Sequence, residues 1–158
     1  MREILMEAES VYTPEFARRV MPQKEPMLFV DHVISVDDGE LLSGTVSFTP
    51  GQRPCEGLLP DGSLAAPAVL EVMAQSYALL RAAFNVIRGI SDGPVAPGVF
   101  VSARSFELLW KGNFPAGEEI IVRCREISEV SGFSMFDAEA LLRGEPAARG
   151  RLGVRSGI

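Results

Sequence analysis

The chain has 158 residues, a length suited to one domain with a sizeable core, and we expect a single domain over residues 1–158. Its formal net charge of −6 disfavours general nucleic-acid binding, which needs a basic surface. Two cysteines and one histidine form no disulfide framework and argue against a Cys/His zinc site, so a reducing cytoplasm is the expected compartment.

The N-terminal part predicts a short helix followed by a hairpin. Thr13 suits an N-cap, Pro14 suits the first helical position and Pro22 follows the end, which predicts a helix within "YTPEFARRVMP". The β-branched runs "MLFVDHVISV" and "LLSGTVSFTP" predict two strands joined by the turn "DDGE". Residues 50–63 contain three prolines and three glycines and predict a loop.

Residues 65–88 predict one long helix that is apolar on most faces. A surface helix keeps a polar stripe, so this helix is expected in the middle of the fold. Pro67 is compatible only with its first turn, and Asp61 or Ser63 is a candidate N-cap.

Neither a membrane span nor a secretion signal is expected. The longest apolar stretch is interrupted by Glu71, Gln75 and Arg81. The first ten residues contain no apolar run long enough for a signal peptide.

Four strand-like runs follow the loop "GISDGPVAPG", at residues 99–110, 118–130, 132–143 and 147–155. The short connectors "KGNFPAGE", "VSG" and "RGEP" between them are typical of an antiparallel meander. One long apolar helix wrapped by a curved antiparallel sheet satisfies two-layer packing, so the sequence predicts an α+β fold.

The C-terminal stretch "LRGEPAARGRLGVRSGI" is net basic through Arg143, Arg149, Arg151 and Arg155. One interpretation is a local patch that holds an acidic partner. The other is a solvated edge strand whose charges deter aggregation.

The order of these elements, with "MP…PMLFVDHV", "EGLLPDG" and "LEVMAQ" at their relative positions, resembles the hot-dog fold. More closely, residues 18–155 resemble the (3R)-hydroxyacyl-[acyl carrier protein] dehydratases and their relatives from polyene pathways. The resemblance implies one long central helix wrapped by a curved antiparallel sheet, and dimers that pair through the edge strand starting at Val99. It implies no metal or redox cofactor, and a substrate that arrives as an acyl thioester on the phosphopantetheine arm of acyl carrier protein or coenzyme A.

The active site of that family contains a histidine in a Gly-His-Phe-Pro-Gly loop and an acid in a Leu-Glu-Ala-Met-Ala-Gln helix, contributed by different chains of the dimer. The resemblance places the acid at Glu71 and the histidine position at Leu58. The spacing between the two is one residue shorter than in the family. The loop, with its expected role in substrate binding, falls on Gly57, Leu58, Leu59, Pro60 and Asp61.

Dehydration of a 3-hydroxyacyl thioester needs a base for the α-proton, an acid for the leaving hydroxyl and a dipole for the thioester oxygen. Glu71 suits the acid because its apolar sequence neighbours are expected to desolvate it and favour the protonated form. Gln75, one helical turn further on, is expected to orient it and to contact substrate, whereas Ala78 and Ala82 are expected to leave room for an acyl chain. The structural alternative is a buried polar pair of Glu71 with Gln75 or a backbone N–H.

Leucine cannot transfer protons, so other groups are candidates for the missing function. They are His32, the only imidazole; Cys55, three residues before Leu58; and Asp61, a second carboxylate. Each also has a purely structural interpretation: His32 as a residue of a strand, Cys55 as a free thiol in a loop, and Asp61 as the cap of a helix.

Three functions therefore remain open. The first is a dehydratase, active or weakened. The second is a hot-dog thioesterase that uses Glu71 as nucleophile or base. The third is a non-catalytic subunit that binds an acyl chain or completes a heteromer with an active homologue.

Overall fold

The computed structural model describes residues 9–37, 39–52, 55, 58–95 and 98–156. The elements run in the predicted order, with a short 3₁₀ turn (Ala66–Ala68) before the second helix: α1 (Pro14–Val20), β1 (His32–Asp37), β2 (Ser43–Phe48), α2 (Val69–Ile87), β3 (Gly98–Leu108), β4 (Ile120–Val130), β5 (Phe133–Leu142) and β6 (Glu145–Ser156). The predicted first helix is confirmed, with Thr13 at its N-cap and Pro14 as its first residue.

The six strands form one antiparallel sheet in the order β1-β2-β4-β5-β6-β3. Helix α2 has 19 residues and is about 28 Å long. It contacts β1, β2, β4, β5 and β6, so the sheet curves around it. This is the predicted α+β hot-dog arrangement, in which β1 and β3 are the two edges of the sheet.

Helix α2 forms the centre of the hydrophobic core, as its sequence predicts. Its fully buried side chains include Val72, Met73, Leu79, Leu80 and Ala83. Burying one large aliphatic side chain contributes about 1.5–3 kcal/mol to folding, so this face alone is a major source of stability. The core therefore fixes the helix on which the candidate site is built.

The predicted cap of α2 by Asp61 or Ser63 is wrong. The Asp61 carboxylate accepts hydrogen bonds from the backbone N–H and the hydroxyl of Ser63, at 3.0 and 2.6 Å, so the two candidates bond to each other. The backbone N–H of Ala66 instead donates to Oδ1 of Asn113, at 3.2 Å. The connector between β3 and β4 thus secures the start of the helical segment.

The predicted connectors "VSG" and "RGEP" form tight hairpin turns. Ser131 and Gly132 have φ of 51° and 81°, and Arg143 and Gly144 have φ of 55° and 77°, as a two-residue turn with both central residues in the left-handed region requires. The Arg143 guanidinium donates to both carboxylate oxygens of Glu118, at 2.6 and 2.7 Å, which ties this turn to the connector between β3 and β4.

The prediction that the C-terminal arginines lie on an edge strand is wrong, because β6 lies between β5 and β3. The side chains of Arg149 and Arg151 lie on the face of the sheet away from α2, opposite carboxylates of neighbouring strands. Arg151 pairs with Asp137 at 3.0 Å and Arg149 with Glu107 at 3.5 Å. Together with the Arg143–Glu118 pair, these exposed pairs involve three of the four arginines of the predicted basic patch.

Candidate active site

A cavity of about 400 Å³ lies along the side of α2 that the sheet leaves open. The helix contributes residues that lie on one side of it: Glu71, Ala74, Gln75, Tyr77, Ala78, Arg81 and Asn85. The opposite wall comes from two loops and the sheet: Pro22, Gln23, Pro94, Val95, Glu129, Ser134 and Val154. The middle is apolar and both ends are polar, which suits an acyl chain with a polar reacting end.

Gln75 fixes the acidic end of this cavity. Its Nε2 donates to the carbonyl of Met27 at 2.8 Å and to Oε1 of Glu71 at 3.1 Å. Its Oε1 accepts from the backbone N–H of Phe29 at 2.9 Å. A buried amide with three hydrogen bonds cannot rotate freely, so Gln75 presents its N–H to the Glu71 carboxylate from a fixed position. The predicted interaction between Gln75 and Glu71 is therefore present.

The expected burial of Glu71 is wrong for the single chain, because its side chain is exposed. The apolar residues beside it in sequence point into the core, whereas Glu71 lies on the open face of the helix. Sequence neighbours on a helix lie about 100° apart, so their apolar character does not desolvate this carboxylate.

Ala78 lines the cavity as predicted, but Ala82 does not. Ala82 is buried in the core at 2% exposure. The second small residue in the cavity wall is Ala74, which precedes Ala78 on the same helix face.

Beyond Ala78 the cavity meets a buried polar network that the sequence analysis missed. The Tyr77 hydroxyl donates to Oε2 of Glu126 at 2.6 Å, and Arg81 Nη2 donates both to the Tyr77 oxygen, at 3.1 Å, and to Glu126. Burial, and secondly the bond to Glu126, raise the pKa of Tyr77 to about 12. The ring of Tyr77 stacks on Phe136 at 4.2 Å between centroids.

A signal for this network was present in β4. Ile120, Val122, Cys124 and Glu126 alternate onto the same buried face of the strand. A charged residue at an inward position requires a buried partner, and here the partners are Tyr77 and Arg81.

The loop residues predicted to bind substrate do not join Glu71 within one chain. Gly57 lies outside the described residues. Leu58 is half-buried and packs against the core, whereas Leu59, Pro60 and Asp61 are exposed. None of the four described loop residues lines the cavity that contains Glu71.

The candidate replacements for the histidine lie elsewhere. His32 lines a separate cavity of about 440 Å³ next to α1, with Asp31 and Glu119. The Cys55 thiol donates to the carbonyl of Leu28 at 3.4 Å and packs against the core. Neither residue lines the cavity of Glu71 in the part of the chain that the structure describes.

Within the described ranges, no group of three or more His, Cys, Asp or Glu side chains is arranged to hold a metal ion. Over the same ranges, no helix combines the length and the hydropathy that crossing a bilayer requires.

Comparisons with known proteins agree with this architecture. Residues 16–157 match the sequence model of the ApeP-like family, described as "ApeP dehydratase". The 3-hydroxyacyl-[acyl-carrier-protein] dehydratase FabZ of Albidiferax ferrireducens is 28% identical over 134 residues, which is 84% of this chain and 85% of that protein. FabZ of Dichelobacter nodosus is 23% identical over 129 residues, covering 80% and 84%.

Among solved structures, the dehydratase heterocomplex ApeI:P from Xenorhabdus doucetiae has a TM-score of 0.79 at 21% identity and covers 93% of both chains. A hypothetical thioesterase with coenzyme A from Streptococcus pneumoniae has a TM-score of 0.55 at 10% identity, over 79% of this chain and 86% of that one. These structural similarities show the fold, and the sequence match over residues 16–157 shows the family. The predicted dehydratase-like assignment is confirmed, and the chain belongs to the ApeP-like dehydratase family.

Proposed function

We propose that the chain is a subunit of a dehydratase that acts on 3-hydroxyacyl thioesters, with Glu71 as the acid that protonates the leaving hydroxyl. The observation that carries this proposal is the Glu71 carboxylate, hydrogen-bonded by Gln75 at the polar end of an acyl-sized cavity. Family membership and the FabZ relatives support the reaction class over the thioesterase alternative.

The reaction requires two groups. A base removes the proton from C2, the electron pair forms the C2=C3 double bond, and the C3–O bond breaks as the hydroxyl takes a proton from the acid and leaves as water. Glu71 provides one proton and becomes a carboxylate. The base is missing from this chain's loop, because Leu58 occupies the expected histidine position.

Because this chain lacks the base, a second and different chain has to supply it, which makes the proposed enzyme a heteromer. In the family that this chain resembles, loop and helix come from different chains, and the ApeI:P neighbour is a heterocomplex. We place a hot-dog partner with a loop histidine against this chain. Of the two composite sites, one combines the partner's histidine with Glu71, and the other contains Leu58 and lacks a base. Such a dimer has one productive site.

The pairing edge in this proposal is β3, which is one of the two sheet edges. The substrate arrives on a phosphopantetheine arm, from acyl carrier protein or coenzyme A. Because Arg143, Arg149 and Arg151 already pair with carboxylates, they offer little free charge to an acidic carrier. The two cysteines, which form no disulfide, favour the cytoplasm as the compartment.

The test is dehydration of 3-hydroxybutyryl thioester, followed through the absorbance of the enoyl product. We expect no turnover by the chain alone, and turnover after mixing with a hot-dog dehydratase that keeps its loop histidine but whose own helix acid has been replaced by alanine, a partner that is inactive by itself. In the mixture, Glu71→Gln should lower the rate by about 10²–10⁴-fold. Leu58→His should give this chain turnover on its own, because copies of the variant would carry both the histidine and Glu71.

Glu40→Gln, an exposed change in the β1–β2 turn, is the control and should leave the rate unchanged. Full activity of the Glu71→Gln mixture would remove the acid assignment. Release of free thiol that depends on Glu71 would assign the thioesterase function instead.

A further inference from the structure

Gln23 lines the same cavity as Glu71, and the oxygen of its side-chain amide has no hydrogen-bond partner among the described residues. Its Oε1 atom is buried and accepts no hydrogen bond from the described part of the chain. An unmatched buried acceptor costs about 1–3 kcal/mol and is uncommon in native structures. Where it lines a ligand cavity, a donor on the ligand is its natural partner.

The backbone around Gln23 is fixed on both sides. Before it, Met21 N–H donates to the carbonyl of Ala17 at 3.0 Å, which ends α1. Directly after it, Lys24 Nζ donates to the carbonyl of Arg18 at 2.7 Å. Further on, the carbonyl of Met27 accepts from Gln75 at 2.8 Å. The amide is thus presented from a segment tied to both helices and is preorganised for a ligand.

We propose that Gln23 is a specificity-determining residue that accepts a hydrogen bond from the 3-hydroxyl group of the acyl substrate. This inference rests on the proposed function. A leaving hydroxyl must accept a proton through an oxygen lone pair while its own hydrogen points elsewhere. An amide oxygen can only accept, so it takes that hydrogen and turns a lone pair of the hydroxyl toward Glu71.

The same arrangement discriminates between acyl chains. A saturated acyl thioester has no hydroxyl at C3, so it leaves the buried Gln23 oxygen unmatched. Sites built to bond a hydroxyl reject analogues that lack it. The enoyl product has also lost the hydroxyl, so Gln23 favours substrate over product.

The test measures binding without turnover. The ligands are amide analogues of (3R)-3-hydroxybutyryl-pantetheine and butyryl-pantetheine, in which nitrogen replaces the thioester sulfur. The readout is isothermal titration calorimetry on the heteromer of this chain with the histidine-bearing partner used in the activity test. One hydrogen bond corresponds to about three- to tenfold tighter binding of the hydroxylated analogue. Gln23→Met, which keeps the side-chain length and removes the acceptor, should reduce this ratio to about one.

Gln52→Met is the matched control, because Gln52 is exposed and lies outside this cavity, and it should keep the native ratio. Unchanged affinity of Gln23→Met for the butyryl analogue shows that the variant is folded. A ratio near one in the native chain, or a ratio that survives Gln23→Met, overturns the role of Gln23 and leaves the proposed function standing. Binding of neither analogue overturns both.

Discussion

At the scale of single residues, the site depends on polar side chains that hydrogen-bond to one another and to the backbone. Gln75 makes three bonds, and Tyr77, Arg81 and Glu126 share one buried network. Such a network contributes when complete and costs free energy when one member is removed. The wall of the cavity beyond Ala78 is therefore rigid.

The raised pKa of Tyr77 predicts a pH effect on stability. The group is buried in its neutral form, so the folded pKa of about 12 lies above the ordinary 10.0. The stabilisation of the fold by neutral Tyr77 is fully present below pH 10 and is lost as the pH rises from 10 to 12. Over this window the free energy of unfolding should fall by up to about 3 kcal/mol on account of Tyr77.

The measurement is urea unfolding between pH 9 and 12, and Tyr77→Phe should flatten the decline. Tyr12→Phe is the control, because Tyr12 is 41% exposed and its removal should leave the decline in place. Identical pH profiles for the native chain and Tyr77→Phe would show that Tyr77 ionises as readily folded as unfolded.

At the scale of elements, strand β2 approaches α2 so closely that only glycine fits at residue 44. A Cβ atom on Gly44 would lie 2.4 Å from the carbonyl oxygen of Ser35 and 2.6 Å from a methyl group of Leu80. The Leu80 side chain can shift, but the backbone of β1 cannot do so without disturbing its pairing with β2.

Gly44→Ala should therefore destabilise the protein by about 1–3 kcal/mol through overpacking. Thermal unfolding should show a lower Tm. Gly93→Ala is a suitable comparison, because a Cβ there meets nothing nearer than 3.7 Å. Equal melting temperatures for the two variants would mean that β1 and β2 absorb the extra methyl group without strain.

The sequence predicts the helices, the strands and their contacts well where the residues that determine them are close together in the chain. Alternation gave the strands, and the four-residue spacing of Glu71 and Gln75 gave their contact. The Tyr77–Glu126 bond spans 49 residues and the Ala66–Asn113 bond 47, so both depend on the strand register and on loop packing that no local pattern encodes. The orphan oxygen of Gln23 likewise exists only after α1 and α2 are in place.

At the scale of the whole molecule, the proposed heteromer accounts for the exposure of Glu71 in the single chain. One chain gives the acid a wall and a hydrogen-bond partner but leaves it open to solvent. The charged outer face of the sheet, with Arg149 and Arg151 opposite carboxylates, is suited to water.

Hydrogen exchange can identify the edge of the sheet that pairs with the partner. On forming the proposed heteromer, the backbone amides of β3 should exchange more slowly, because strand pairing adds hydrogen bonds along the edge. β1, the other edge, serves as the internal control and should exchange as in the isolated chain. Protection of β1 without protection of β3 would assign the contact to the opposite side of the molecule.

The bond from Asn113 to the first turn of the α2 segment has a consequence for how the protein is made. Leu64 also exchanges two backbone hydrogen bonds with Phe114, at 2.9 and 2.8 Å, so the entrance to the helix is completed by residues nearly fifty positions later in the chain. During synthesis, which proceeds from the N-terminus, the helix bearing the acid can be finished only after this segment has left the ribosome. Ribosome-bound chains that stop before residue 113 would present an apolar helix with an unsecured start, a form suited to chaperone binding.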